Sequence, residues 1–234
     1  LTEIQTHTIE LIFLMLRAGL VRLSKVIDLS RVTRILLVTC LLLIGSRLHS
    51  FGNPDNLGQY SRTYVWDYGG YRFTKTIKIN SSIYDFYNRQ VRLNGEYAMY
   101  ATQNEGYAYL ADIARQLDED AKEIGFKDYK LVEYLIAFVQ QGIKYTSDVG
   151  EYQKYPAETL VEGKGDCEDQ AALLVALLKT FGFDAVLVNL PGHMAAAVAC
   201  QNCKAGYYEF KGKKYAFIES TSPGMKIGQL TELS

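Results

Sequence analysis

Gly163-Lys164-Gly165-Asp166-Cys167-Glu168-Asp169-Gln170, running into the apolar stretch from Ala171 to Phe181, decides how the chain reads. Two glycines predict a tight, open loop, because a residue without Cβ reaches φ > 0 at little cost. Asp166 stands at an N-cap position, and Glu168 and Asp169 fall in the first turn, where carboxylates favour the positive end of the helix dipole. Leu174, Leu178 and Phe181 recur at helical spacing, Leu173 and Leu177 widen the stripe, and Gly182 supplies the stop. Cys167 is therefore expected in the first turn of a buried helix. There, unpaired backbone N–H groups and the dipole favour a thiolate and lower the thiol pKa.

A cysteine beside an apolar helix is more often a small core residue than a nucleophile. Three features weigh against that reading. The flanks are glycine and acid rather than core residues. His193 follows Leu190-Pro191-Gly192 and opens the strand-like run from Met194 to Ala199, and Glu219 closes the run from Lys214 to Ile218. Thiol, imidazole and acid in this order match the nucleophile, base and orienter of acyl-transfer enzymes. Gln140, at the end of a helical segment, is a candidate oxyanion donor, its alternative being a helix-terminal amide bonded to backbone. The backbone N–H of Cys167 is the more direct donor, since a helix N-terminus already presents it.

The segment from Tyr155 to Asp169, together with Pro191-Gly192-His193 and Ile218-Glu219-Ser220-Thr221, resembles the active-site region of the transglutaminase-like superfamily. The likeness is closest to prokaryotic and archaeal members that share Gly-Asp-Cys-Glu-Asp, and it runs from about Tyr60 to Gly228. The resemblance implies an α+β fold with a papain-like core, in which a nucleophile helix packs on an antiparallel sheet carrying the histidine and the acid. It implies a cysteine peptidase or amidase acting on protein or peptide substrates, with Cys167, His193 and Glu219 as a triad that needs no cofactor. The alternatives are a protein-crosslinking transglutaminase and a non-catalytic domain that binds a peptide or partner protein. Most of the superfamily has Asp followed by Pro-Thr where this chain has Glu219-Ser220-Thr221, and many members have an aromatic residue where it has Met194-Ala195.

Three carboxylates beside Cys167 oppose a thiolate, so they must point away, be screened or be neutralised. In calcium-dependent periplasmic cysteine proteases of the same superfamily the acids flanking the nucleophile bind Ca²⁺. Asp166 and Glu168 match those positions, and Asp148 in the preceding loop supplies a third oxygen ligand. The alternative is plain capping and a surface salt bridge.

A net charge of −1 over 234 residues gives no electrostatic case for nucleic acid. The charge is uneven. Residues 1–50 carry a net +3, which leaves −4 for the rest. Within this basic head, Ile35 to Ser46 is an uncharged run of 12 residues, about 18 Å of helix against a bilayer core of about 30 Å. That length suits the apolar core of a signal peptide or an uncleaved anchor, with an interfacial amphipathic helix as the alternative. The expected organisation is an N-terminal hydrophobic helical segment for targeting or membrane anchoring over 1–50, a linker over 51–59 and the catalytic domain over 60–234. That domain is expected outside the cytoplasm.

Thr63 to Ile79 predicts a hairpin about Gly69-Gly70, and Ser81 or Ser82 a cap for a short helix through Arg89. Leu110 to Ile124 carries a helical stripe, and Asp128 is expected to cap a further helix with Leu131, Leu135, Phe138 and Val139 inward. Phe183–Leu190, Met194–Cys200, Gly206–Phe210 and Lys213–Glu219 read as strands, the last two joined at Lys211-Gly212. The chain after Ser222-Pro223-Gly224 reads as a loose tail. Cys200 and Cys203 supply half a tetrahedral zinc site, so a local disulfide bracing the turn is the better reading in an oxidising compartment.

Overall fold

The hairpin about Gly69-Gly70 forms as the alternation requires. In the computed structural model the described residues are 58–93, 95–102, 108–147, 150, 152–204 and 206–230. The chain divides at Asn56/Leu57 into two units, and all described residues belong to the second. The expected N-terminal segment and most of the expected linker lie outside the described residues. Among those described, no helix is long and apolar enough to cross a membrane.

Strand β1 (Gln59–Tyr68) pairs antiparallel with β2 (Tyr71–Asn80). Only one face of this ribbon is buried: Tyr64, Trp66, Phe73, Ile77 and Ile79 turn inward, while Val65 and Tyr71 stay exposed. Asn80, not either serine, caps α1 (Ser81–Asn88), accepting from the Ser82 N–H at 2.9 Å. Two helices follow, α2 (Tyr97–Thr102) and α3 (Ala108–Ile124), and then α4 (Tyr129–Gly142). Asp128 holds the N-cap position of α4 without a side-chain cap hydrogen bond; its backbone is left-handed, with φ 52°. Leu135, Phe138 and Val139 are fully buried, and Trp66 packs between Phe73 and Phe138 with ring centroids 5.4 and 5.0 Å away. Trp66 is thus a packing anchor that fixes the ribbon to α4.

Three short elements here escaped the periodicity. Strand β3 (Lys144–Tyr145) pairs in parallel with β4 (Lys164–Gly165), and helix α5 (Pro156–Glu162) lies between them in the chain. Helix α6 (Cys167–Thr180), which opens on the candidate nucleophile, comes next, with Leu173, Leu174, Leu177 and Leu178 fully buried. At about 1.5–3 kcal/mol per fully buried leucine, this face is a main source of the fold's stability.

The sheet against α6 is antiparallel, in the order β5 (Ala185–Leu190), β6 (His193–Ala199), β8 (Lys213–Ile218), β7 (Tyr207–Phe210). Ala196 and Val198 of β6 and Ile218 of β8 join the same apolar cluster as Leu174 and Leu178. The architecture is therefore α+β, with helix α6 packed on an antiparallel sheet. Cys200 and Cys203 form a disulfide in the turn between β6 and β7. The chain after Ser222 is not a loose tail as far as Leu230. The Gly228 N–H donates to the Phe217 carbonyl at 2.8 Å, and the Phe217 N–H donates to the Gly206 carbonyl at 2.8 Å, so this segment closes over the end of β8.

Candidate active site

Helix α5 ends at Gly163, whose left-handed φ of 64° turns the chain sharply into β4. Gly165 does not need a positive φ; it needs space, because a Cβ there would lie 2.6 Å from the Asp169 Cβ. The β3–β4 pair pins the approach, through Lys144 N–H to the Gly163 carbonyl and Thr146 N–H to the Gly165 carbonyl, both at 3.0 Å. Asp166 then caps α6 in a reciprocal box: its carboxylate accepts from the Asp169 N–H, and that of Asp169 accepts from the Asp166 N–H, both at 3.4 Å. Cys167 is the first residue of the helix.

The opposing group comes from the sheet. His193 opens β6, Glu219 directly follows β8, and His193 Nε2 meets Glu219 Oε2 at 2.8 Å. The other oxygen of Glu219 accepts from the Thr221 N–H at 2.8 Å and from its hydroxyl at 2.6 Å. Glu219 is almost fully buried, so its carboxylate is held at both ends and cannot drift from the ring. The glutamate side chain, one methylene longer than aspartate, therefore still reaches the imidazole. No described residue hydrogen-bonds Nδ1 of His193, which leaves that nitrogen for a proton from a thiol or a substrate.

Cys167 and His193 line one cleft of about 230 Å³, with Tyr97, Glu168 and Asn189 on its walls. Among the described residues no hydrogen bond joins the sulfur to the ring. The thiol instead donates to Glu168 Oε2 at 3.1 Å. Burial first, and then that hydrogen bond, push the Cys167 thiol up to about 12, against a backbone N–H from Met194 that favours the thiolate. This reverses the sequence-based expectation of a lowered pKa: the favourable helix N-terminus is outweighed by desolvation and by a carboxylate in contact. In the resting state Cys167 is a neutral thiol.

The three acids divide their roles. Asp166 caps the helix. Asp169 is fully buried and ion-paired with Lys154, whose Nζ lies 2.7 Å from Oδ2 while its backbone N–H donates to Oδ1 at 2.6 Å. Glu168 turns toward Cys167 and accepts the thiol hydrogen. Asp148, the third oxygen ligand of the expected calcium site, lies outside the described residues, and no group of three metal-ligating side chains occurs among those described. Gln140 is corrected from oxyanion donor to structural clamp. Its Nε2 donates to the carbonyls of Glu219 at 2.7 Å and Met225 at 3.2 Å, and its Oε1 accepts from the Gly224 N–H at 3.2 Å. Both amide hydrogens are spent, so none is left for a developing oxyanion.

Sequence reasoning passed over Lys154, Thr221 and Tyr97. Thr221 had a signal, since a hydroxyl two residues after an acid can bond back to its carboxylate. Lys154 and Tyr97 had none, because each reaches the site through tertiary packing.

Residues 111–217 match the family model of the transglutaminase-like superfamily. A UPF0252 protein of Archaeoglobus fulgidus is 45% identical over 58 residues, which is 22% of this chain and 18% of that one. The chain thus matches under a fifth of this curated relative's length. A crystal structure of a TGase aligns over 89% of this chain and 52% of its own, at 16% identity and a TM-score of 0.35. The matched segment covers less than half of the chain and carries both Cys167 and His193, and over it the chain is similar to the transglutaminase-like superfamily.

Proposed function

We propose that this protein is a thiol-dependent acyl-transfer enzyme, a cysteine peptidase or amidase acting on peptide substrates. One observation carries the reading: His193 Nε2 is held at 2.8 Å by a buried Glu219, across a cleft shared with Cys167. A carboxylate so placed fixes the tautomer in which Nδ1 accepts a proton, and it stabilises the imidazolium that results. Sγ of Cys167 attacks the acyl carbon as its proton passes to Nδ1. The backbone N–H of Cys167 faces the developing oxyanion, and the imidazolium returns the proton to the leaving amine. Water, deprotonated by His193, then cleaves the thioester. An amine in place of water would form a new amide, the transglutaminase outcome.

A second reading has its own support. The Cys167 thiol is bonded to Glu168 rather than to His193, and its pKa is raised, as expected of a non-catalytic domain that binds a peptide or partner protein. Iodoacetamide separates the two. Alkylation of Cys167 in the full chain, read by peptide mass mapping, should slow about tenfold or more in His193→Ala if the imidazole takes the thiol proton. Equal rates in the two proteins would eliminate the enzyme reading. The disulfide at Cys200–Cys203 supports work in an oxidising compartment, and the basic, apolar head of the sequence would keep the domain at a membrane.

A further inference from the structure

Of the three acids around the nucleophile, two are committed elsewhere: Asp166 to the helix cap and Asp169 to Lys154. Glu168 is half-buried on the cleft wall, and among the described residues its Oε2 accepts the thiol hydrogen alone, 3.1 Å away. Among the described residues no lysine or arginine lines the cleft, and those that do are tyrosine, asparagine, histidine, apolar side chains and glycine. A carboxylate in such a place lacks a counter-charge, and a ligand can supply one. A thiol is a weak donor, so an ammonium competing for the same oxygen makes the stronger, charge-assisted bond.

Geometry sets where that charge must sit. A thiol attacks from about 3–3.5 Å, and an α-nitrogen lies about 2.5 Å from its own carbonyl carbon by standard bond lengths. An oxygen 3.1 Å from Sγ is therefore within hydrogen-bond reach of a nitrogen close to the acyl carbon. We infer that Glu168 is the specificity-determining residue of this cleft: it selects acyl substrates with an ammonium near the reacting carbon, and that ammonium releases the thiol to His193. The inference rests on the acyl-transfer reading. Before substrate enters, the thiol hydrogen lies on Glu168. Once the ammonium takes that oxygen, the S–H turns to Nδ1 of His193, and its proton moves there as the S–C bond forms. The ammonium is either a free α-amino group, which these distances fit directly, or a lysine side chain, whose flexible stem must fold back to bring Nζ to the same oxygen.

Four amino-acid vinyl sulfones test this on the full chain, with the Cys167 adduct followed by mass mapping. They are Nα-acetyl-norleucine, norleucine with a free α-ammonium, Nα-acetyl-lysine and Nα-acetyl-glutamate vinyl sulfone, each rate normalised to that with a small free thiol. At least one cationic probe should react about tenfold faster than the neutral one, as a charge-assisted bond allows, and the glutamate probe slowest. Which cation leads identifies the source. Glu168→Gln should remove the ranking while raising the rate with the neutral probe, and Glu168→Asp should restore the ranking in part. Equal rates for all four probes on the wild type, or a ranking that survives in Glu168→Gln, would overturn the assignment. His193→Ala separates the two levels. If it slows every probe but no charge ranking exists, the specificity inference alone fails. If it slows none, the acyl-transfer reading fails with it.

Discussion

Replacing Lys154 by methionine leaves a charge stranded in the protein. Lys154 and Asp169 form an ion pair with side-chain exposures of 8% and 0%, at 2.7 Å. Removing one partner of such a pair costs about 3–5 kcal/mol, because the remaining charge has neither water nor counter-ion. Asp169 cannot relax outward: it is in the first turn of α6, and Gly165 approaches so closely that a Cβ there would sit 2.6 Å from its own. It does keep the backbone N–H groups of Lys154 at 2.6 Å and Asp166 at 3.4 Å, which places the expected loss at the lower end, about 3 kcal/mol. Adding Asp169→Asn removes the stranded charge while still accepting from the Lys154 N–H, so the double variant should recover all but about 1 kcal/mol. The assay is urea unfolding of the full chain followed by Trp66, the single tryptophan, which is buried against Phe73 and reports directly on the core. A Lys154→Met protein within about 1 kcal/mol of wild type, or a double variant no better than the single, would show that the pair is not electrostatically buried.

Thr221→Val removes the 2.6 Å hydroxyl bond to Glu219 but leaves the N–H bond, so Cys167 alkylation should fall about threefold to tenfold, with Thr221→Ser restoring it. An unchanged rate would mean that Glu219 is positioned without the hydroxyl. The raised thiol predicts a pH profile of definite sign. Cys167 is neutral at every pH well below about 12, so its alkylation rate should still be climbing as pH passes its ordinary value of 9.0, and Glu168→Gln should move the rise to lower pH. A rate already flat below that ordinary value would indicate a resting thiolate instead. Gly206→Ala should cost about 3 kcal/mol or more in the same urea assay, since the new Cβ would lie 1.8 Å from the Gly228 carbonyl oxygen at a φ of +62°. Full stability there would show that the C-terminal segment is not closed over β8.

The parts of the fold legible in the sequence are those set by local chemistry. Gly69-Gly70 turns the ribbon, Leu173 to Leu178 carry the helix stripe, and Asp166 caps it, because turn, periodicity and cap are each decided within a few residues. What escaped is decided at a distance. The β3–β4 pair is two residues long on each side and parallel, too short for any alternation to register, yet it fixes the approach to Cys167. The segment after Ser222 has the composition of a tail, but Gln140 reaches it across 84 residues of chain to accept from Gly224. Glutamine at a helix end carries no local mark that would separate a clamp from an oxyanion donor.

At the site itself, residue types and order were readable, and electrostatic balance was not. The helix N-terminus predicts a lowered thiol pKa, and that pull is still present; what overrides it is the depth of the cleft and the rotamer that brings Glu168 to 3.1 Å. Neither depth nor rotamer is written in the spacing of Cys167 and Glu168. The same two residues explain why a neutral resting thiol does not argue against chemistry. A thiol held by a carboxylate is protected from adventitious alkylation and oxidation, since the thiolate is the reactive form. The base proposed for it, His193, lines the same cleft, and the partner of that imidazole, Glu219, is already held at both oxygens by His193 and Thr221. On the acyl-transfer reading, such a site would keep its base oriented and its thiol latched, and the latch would be the group a substrate displaces.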